Sequence, residues 1–478
     1  MLFNSLEFAI FFPIVTTLYF ILPMNTRVWM LLIASCYFYM AFVPKYILIL
    51  IFTILIDYVA GVLISRANGG ARRYWLVTSI VANVGVLAFF KYFNFINDSL
   101  GAVVAAFGHT YPLGALGIVL PIGLSFHTFQ SMSYTIEVYR GRQDAERNLG
   151  RFALYVMFYP QLVAGPIERP QNLLEQFKIA HTFDYDRVKY GLQLMAWGLF
   201  KKIAIADRLA RGVSEVYQDP AAYSGVAALT ATYLFAVQIY CDFSGYSDVA
   251  IGAAEVMGFR LMRNFDRPYF SQTISEFWRR WHISLSTWFR DYLYIPLGGN
   301  RVSKSRLMVN LMLVFMLSGL WHGANWTFVI WGTLHGLYLC SAIMLTNVKS
   351  LLLRLSGLRH VPILHRTFSR LFTFHLVLLS WIFFRAANLS QAIVVLRAIV
   401  TNHTGRALSL DVMGGRTMLI LCIGSLVACE LMQSRIRLRA AIARSAVMMR
   451  WPVYVGSVLF LLLLGDFVSK QQFIYFQF

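Results

Sequence analysis

Between Arg306 and Lys349 the chain carries no charged side chain, yet His322 and His335 both lie in that stretch. An ionisable group at membrane depth is costly unless it faces a cavity or a partner, so each histidine is a candidate for function. His322 sits in Ser318-Gly319-Leu320-Trp321-His322-Gly323-Ala324-Asn325-Trp326, with glycines close on either side that let backbone or a substrate approach. Its imidazole can serve as a general base or as a covalent acyl relay, and Asn325 or Trp326 can donate to a developing oxyanion. A neutral imidazole bonded to another helix is the plainer alternative, and for His335 it weighs more. On one straight helix the thirteen residues between the two histidines would span roughly 20 Å and turn them to different faces. Gly323 and Asn325 predict a break just after His322.

A second block runs from Phe265 to Arg301 and is the densest in aromatic and charged residues. Within it, Glu276 to Asp291 reads as one amphipathic helix. Trp278, Trp281, Leu285, Trp288 and Tyr292 recur at intervals of three and four, while Arg279, Arg280 and Arg290 fall elsewhere on its surface. Such a helix suits a membrane interface. It can be a mere anchor, or its arginines can hold the phosphates of an anionic donor while His282 faces the reaction path.

Other chemistries find less support. No G-x-S-x-G motif is present, and no His/Cys/carboxylate cluster has metal-ligand spacing. His181 and Asp186 stand in a polar connection that reads as a solvated loop. The five cysteines (Cys36, Cys241, Cys340, Cys422 and Cys429) show no C-x-x-C spacing and read as buried small hydrophobes.

The elements that must hold these residues are membrane helices. Of 478 residues, 58% are hydrophobic and 13% charged, about half the charged share of a soluble domain, and the mean hydropathy is +0.60. Apolar runs long enough to cross a bilayer, or nearly so, begin with Leu6–Pro23, Val28–Val43, Tyr46–Ile64, Trp75–Phe95 and Ala115–Ile136. Phe152–Val163, Tyr190–Ile205, Ala227–Met257, Leu307–Leu320, Asn325–Leu345, Leu371–Phe384, Thr417–Leu431 and Val453–Val468 follow. The expectation is an all-α polytopic protein with roughly ten to twelve spans in a single domain, 1–478. The first run lacks a basic n-region and a small-residue cleavage site, so it is expected to be a span rather than a signal peptide.

The formal net charge of +20 does not indicate nucleic acid, because the basic residues form short clusters between apolar runs. Arg66, Arg72 and Arg73, then Arg140, Arg142, Arg147 and Arg151, then Lys201 and Lys202 read mostly as a topology signal. A share can serve an anionic substrate or lipid. Tyr159 to Lys178, broken by Gly165-Pro166-Ile167-Glu168-Arg169-Pro170, and Tyr240 to Asp248, with Asp242 and Asp248, are too polar for lipid exposure. Polar or interrupted segments at this depth imply a surrounded cavity. No internal repeat or pair of matching broken helices points to an inverted-repeat transporter.

Several of these blocks together resemble the membrane-bound O-acyltransferase family, in its bacterial polysaccharide-acetylating branch. The likeness rests on Pro121-Ile122-Gly123-Leu124-Ser125-Phe126-His127-Thr128-Phe129-Gln130, Gly165-Pro166-Ile167-Glu168 and Asp242-Phe243-Ser244-Gly245-Tyr246-Ser247-Asp248. It continues through Phe277 to Trp288, Leu320 to Trp326, Trp381-Ile382-Phe383-Phe384-Arg385-Ala386 and Phe473-Ile474-Tyr475-Phe476-Gln477-Phe478, in order along essentially the whole chain.

The resemblance implies a ring of helices with short re-entrant or interfacial pieces around a central tunnel, spanning the bacterial inner membrane. His322 matches the family's catalytic histidine and His282 its second conserved polar position. Residues 307–345 would then be the catalytic-histidine region. A cytoplasmic acyl thioester such as acetyl-CoA would be the donor substrate, with no bound cofactor and no metal. A polysaccharide such as alginate or cellulose would be the acceptor, with a periplasmic acetyltransferase partner completing the transfer. The same chemistry can serve peptidoglycan, teichoic acid or a lipid hydroxyl. A transporter using Asp242, Asp248, His282 and His322 as an ion path is the reading outside the enzyme class.

Overall fold

The structure is a computed structural model, and it describes all residues except 358–359, 436–440, 443, 467–472 and 475–478. Tyr475 to Phe478 of the last resembling block, and Val468 at the end of the last expected span, therefore lie outside the described residues. Helices dominate, and the described residues form no β-strand beyond a single bridge between Tyr223 and Arg406. The chain divides into two compact units, residues 1–195 with 247–262 and residues 196–246 with 263–478. Eight helices among the described residues are long and apolar enough to cross a membrane. Pro44–Arg66 and Gly70–Ala106 belong to the first unit. Lys304–His322, Trp326–Met344, Pro362–Arg385, Gly415–Ser434 and Val447–Leu464 belong to the second, and Gly225–Met257 passes from the second into the first.

In the first unit, the helices Ile47–Arg66, Gly70–Leu87 and Leu124–Tyr139 close around the buried carboxylate of Asp57. It accepts from Ser79 Oγ at 2.5 Å, from Asn83 Nδ2 at 2.9 Å and from Ser131 Oγ. One turn away, Thr53 Oγ1 meets His127 Nε2 at 2.7 Å. In lipid, polar pairs of this kind join helices that have no hydrophobic drive to associate.

The expected span Ala115–Ile136 is corrected here, since residues 107–123 are not helical and the helix begins at Leu124. Pro112 and Pro121 each remove an N–H donor, and Gly123 takes a left-handed conformation at φ +76°. A Cβ at Gly123 would fall 2.9 Å from the Leu162 carbonyl oxygen, so only glycine fits there. The Gly165–Arg169 stretch is likewise non-helical, and its Glu168 is fully buried. That carboxylate accepts from the Met262 backbone N–H and from Asn172 Nδ2 at 2.6 Å, and burial pushes it up to about 7.

In the second unit, the expected break after His322 is present. Lys304–His322 ends at Gly323, and Asn325 caps the next helix by accepting from the Thr327 N–H at 3.0 Å. The two helices cross backbone to backbone. A Cβ on Gly319 would lie 2.2 Å from the Phe328 carbonyl oxygen, and one on Gly332 would lie 2.1 Å from that of Phe315. Small residues at such crossings are what bring transmembrane helices into close contact.

Replacing Gly319 by valine should therefore force the crossing apart, at a cost of about 1–3 kcal/mol or more. A fall in the thermal midpoint of the detergent-purified protein measures it. Gly424→Ala, at a glycine with no neighbour within 4 Å, should leave that midpoint unchanged or slightly raised.

Candidate active site

Every residue of the site belongs to the second unit. His322, the last residue of its helix, is 4% exposed and packed among aromatic rings. The centroids of Trp321 and Trp331 lie 4.9 Å from its own, and that of Phe384 lies 5.5 Å away. Trp331 stands on the returning helix and Phe384 near the end of Pro362–Arg385, so three helices build this box.

His282 enters the same box. Its ring centroid lies 6.4 Å from that of His322, with the planes steeply inclined, and the residue is fully buried. Phe243 stands edge-on to it at 4.6 Å, and Trp321 and Phe265 pack at 6.2 Å and 6.5 Å. Burial holds the His282 imidazole down at about 3, so it is neutral across the physiological range.

The backbone that delivers His282 departs from the expected single amphipathic helix. Two short helices, Ile274–Arg280 and Ile283–Phe289, flank a left-handed His282 at φ +43°. Helical periodicity was present in the side chains on either side of the break, but the backbone turns at the histidine itself. Asn264 grips this corner. Its Oδ1 accepts from His282 Nδ1 at 3.1 Å and from the Ser284 hydroxyl at 2.9 Å, and its carbonyl accepts from the Ile283 N–H at 2.9 Å.

His335 is placed differently. Its Nδ1 accepts from the Trp278 indole N–H at 3.2 Å, so the neutral ring carries its proton on Nε2. Nε2 then donates to Ser380 Oγ at 2.9 Å, and Ser380 donates to the Val377 carbonyl at 2.7 Å. Both nitrogens are engaged in a chain that ends on backbone, which is the geometry of a structural histidine joining three segments.

The remaining candidates lie outside the histidine box. The Asn325 amide donates to the Ala387 carbonyl at 2.8 Å while its oxygen caps the helix, and Trp326 is 55% exposed. Arg279 is exposed, and Arg280 pairs with Glu276 at 2.6 Å. Trp331 was not singled out by any spacing. It is fully buried beside His322, and its indole N–H has no acceptor among the described residues.

Asp242 and the dilysine lie in the buried interior rather than in a loop. Lys202 is buried, pairing with Asp207 at 2.7 Å and Asp242 at 2.6 Å, and Lys201 donates to Ser244 at 2.8 Å. These lysines hold the core together and are not a cytoplasmic loop cluster. Asp242 Oδ2 also accepts from the Ile474 N–H at 2.7 Å, and Phe473 packs against Phe243 at 5.8 Å.

Residues 142–387 match the membrane-bound O-acyltransferase family, a stretch that holds both histidines of the box. The chain is 42% identical over 400 residues to a probable alginate O-acetylase of Pseudomonas aeruginosa, covering 82% of this chain and 73% of that protein. The chain belongs to the membrane-bound O-acyltransferase family. It is a multi-pass membrane enzyme that transfers acyl groups to oxygen. It is also 35% identical over 434 residues to a peptidoglycan O-acetyltransferase of Helicobacter pylori, covering 84% and 80% of the two chains. A teichoic acid D-alanyltransferase of Bacillus subtilis is 29% identical over 225 residues, covering 45% and 56%.

In this O-acyltransferase, His335→Ala would leave the buried Trp278 N–H and Ser380 without their partner, at a cost of about 1–3 kcal/mol. A lowered thermal midpoint should accompany turnover per folded molecule within a few-fold of wild type. A selective loss of turnover at unchanged stability would give His335 a chemical role instead.

Proposed function

We propose that this O-acyltransferase moves acetyl from a cytoplasmic acyl thioester, such as acetyl-CoA, across the bacterial inner membrane for O-acetylation of an exopolysaccharide of the alginate or cellulose kind. The observation that carries the reading is the pair of buried imidazoles, His282 and His322, 6.4 Å apart in one aromatic box inside the family-matched region. The acceptor class is favoured by the relatives. Identity is higher to the probable alginate O-acetylase than to the peptidoglycan enzyme, and the D-alanyltransferase match covers less than half of this chain. A periplasmic acetyltransferase partner completes the transfer to sugar hydroxyls.

The chemistry follows from the box. An acceptor hydroxyl attacks the thioester carbonyl while the His322 imidazole takes its proton. The tetrahedral intermediate collapses, the carbon–sulfur bond breaks, and the imidazolium returns the proton to the departing thiolate. One ester and one thiol leave, and the histidine is regenerated. Positioned base catalysis of this kind contributes about 10²–10⁴-fold. Trp331 offers a buried N–H beside His322 to the developing oxyanion. Arg279, exposed on the short helix before His282, is available to the phosphates of the donor.

His322→Ala should lower transfer of radiolabelled acetyl from acetyl-CoA about a hundredfold or more, with expression and thermal midpoint near wild type. Equal acetylation by mutant and wild type, with the partner and a polysaccharide present, would sink the assignment. Arg279→Ala should raise the donor KM more than it lowers kcat.

A further inference from the structure

We propose that Asn264 is the positioning residue of the acyl-transfer centre: its side-chain oxygen selects the His282 tautomer that carries the proton on Nδ1 and leaves the lone pair on Nε2. This rests on the reading of His282 and His322 as the reacting pair.

The assignment comes from donors and acceptors. The Ser284 backbone N–H can only donate, and it points at the same Asn264 atom as His282 Nδ1 does, at 3.3 Å. That atom is therefore the amide oxygen, which can only accept, so His282 Nδ1 must bear hydrogen. In a neutral ring the lone pair then lies on Nε2, the opposite edge. Without the Asn264 oxygen, the acceptor that holds the proton on Nδ1 is lost.

The backbone supports the same role. A left-handed conformation is costly for a non-glycine residue and persists only where its surroundings over-determine it. Here they do. The Asn264 carbonyl holds the Ile283 N–H at 2.9 Å, and the Asp266 N–H donates to the Arg280 carbonyl at 2.9 Å, so the turn is pinned on both sides of His282. The fold thus uses one asparagine, through main chain and side chain together, to set the orientation and the protonation pattern of one imidazole.

The groups packed on His282 leave its charge state to burial. Phe243, Phe265 and Trp321, which pack on it, do not titrate, and His322 is an ionisable ring against it. The charged residues on the neighbouring elements are engaged elsewhere. Asp242 is paired with Lys202, and Asp266 is paired with Arg263 at 3.0 Å and Arg267 at 3.1 Å.

The test uses the full-length purified protein, with Asn264→Ala and Asn264→Asp assayed for kcat, KM, thermal midpoint and activity from pH 5 to 9. Asn264→Ala should lower kcat about tenfold or more with the donor KM unchanged. Asn264→Asp keeps every acceptor contact but puts a carboxylate charge beside His282 Nδ1, which raises the pH at which the ring protonates. Activity of this variant should fall off at a higher pH on the acid limb than wild type does, and recover above that pH. A purely structural cap would not move the pH profile. If His322→Ala and His282→Ala are inactive but Asn264→Asp superimposes on wild type, the inference about Asn264 fails by itself. If His282→Ala is fully active, the reading of the reacting pair fails, whatever Asn264 does.

Discussion

Two helices that touch through bare backbone set the rest of the second unit in place. Lipid tails are as apolar as leucine, so membrane helices gain nothing from hiding apolar side chains from one another. Contact has to come from close packing, and at Gly319 and Gly332 it comes from carbonyl oxygens lying where side chains would otherwise be. This crossing folds the charge-free run back on itself just past His322. It brings Trp331 from the returning helix against the histidine, and sets Phe384 and Trp381 of a third helix around Trp331 at 5.2 Å and 6.0 Å. A side chain at the crossing would separate the box walls before it altered any reacting group.

Within that frame, three buried histidines take three different roles from their neighbours. His335 has both nitrogens spent on a chain that ends at a backbone carbonyl, so it joins helices. His282 has one nitrogen committed to Asn264, which leaves the other defined in position and protonation. His322 sits among rings with His282 beside it. Burial keeps His282 neutral, so it places no positive charge beside the proposed base, His322. The buried Lys202 shows the opposite solution, in which flanking carboxylates offset the cost of burying an ammonium.

Much of the helical architecture was legible in the sequence, because long apolar runs announce themselves and because glycine and asparagine mark the end of a helix at His322. The histidine box was legible only in part. His282 and His322 stood out as polar groups among apolar ones, but Trp331 and Phe384 looked like any buried aromatic residue. Asn264 carried no local signal, since its importance lies in contacts eighteen and twenty residues further on, with His282 and Ser284. The left-handed turn at His282 was masked by aromatic residues that keep helical spacing across it. Ala115 to Gly123 misled in the other direction: it opens an apolar run long enough to span, while Pro121 and Gly123 deny that part a helix. Lys202 resembled a topology marker because a charge reads the same in sequence whether it meets water or two buried carboxylates.

In the proposed function, acyl transfer happens at the His282–His322 pair. Single-turnover release of free thiol from acetyl-CoA, in the purified enzyme carrying His322→Gln, tests it most directly. Donor binding unchanged, with thiol release slowed about a hundredfold or more, is the expected result. Thiol release at the wild-type rate would contradict the account and move the chemistry away from this box.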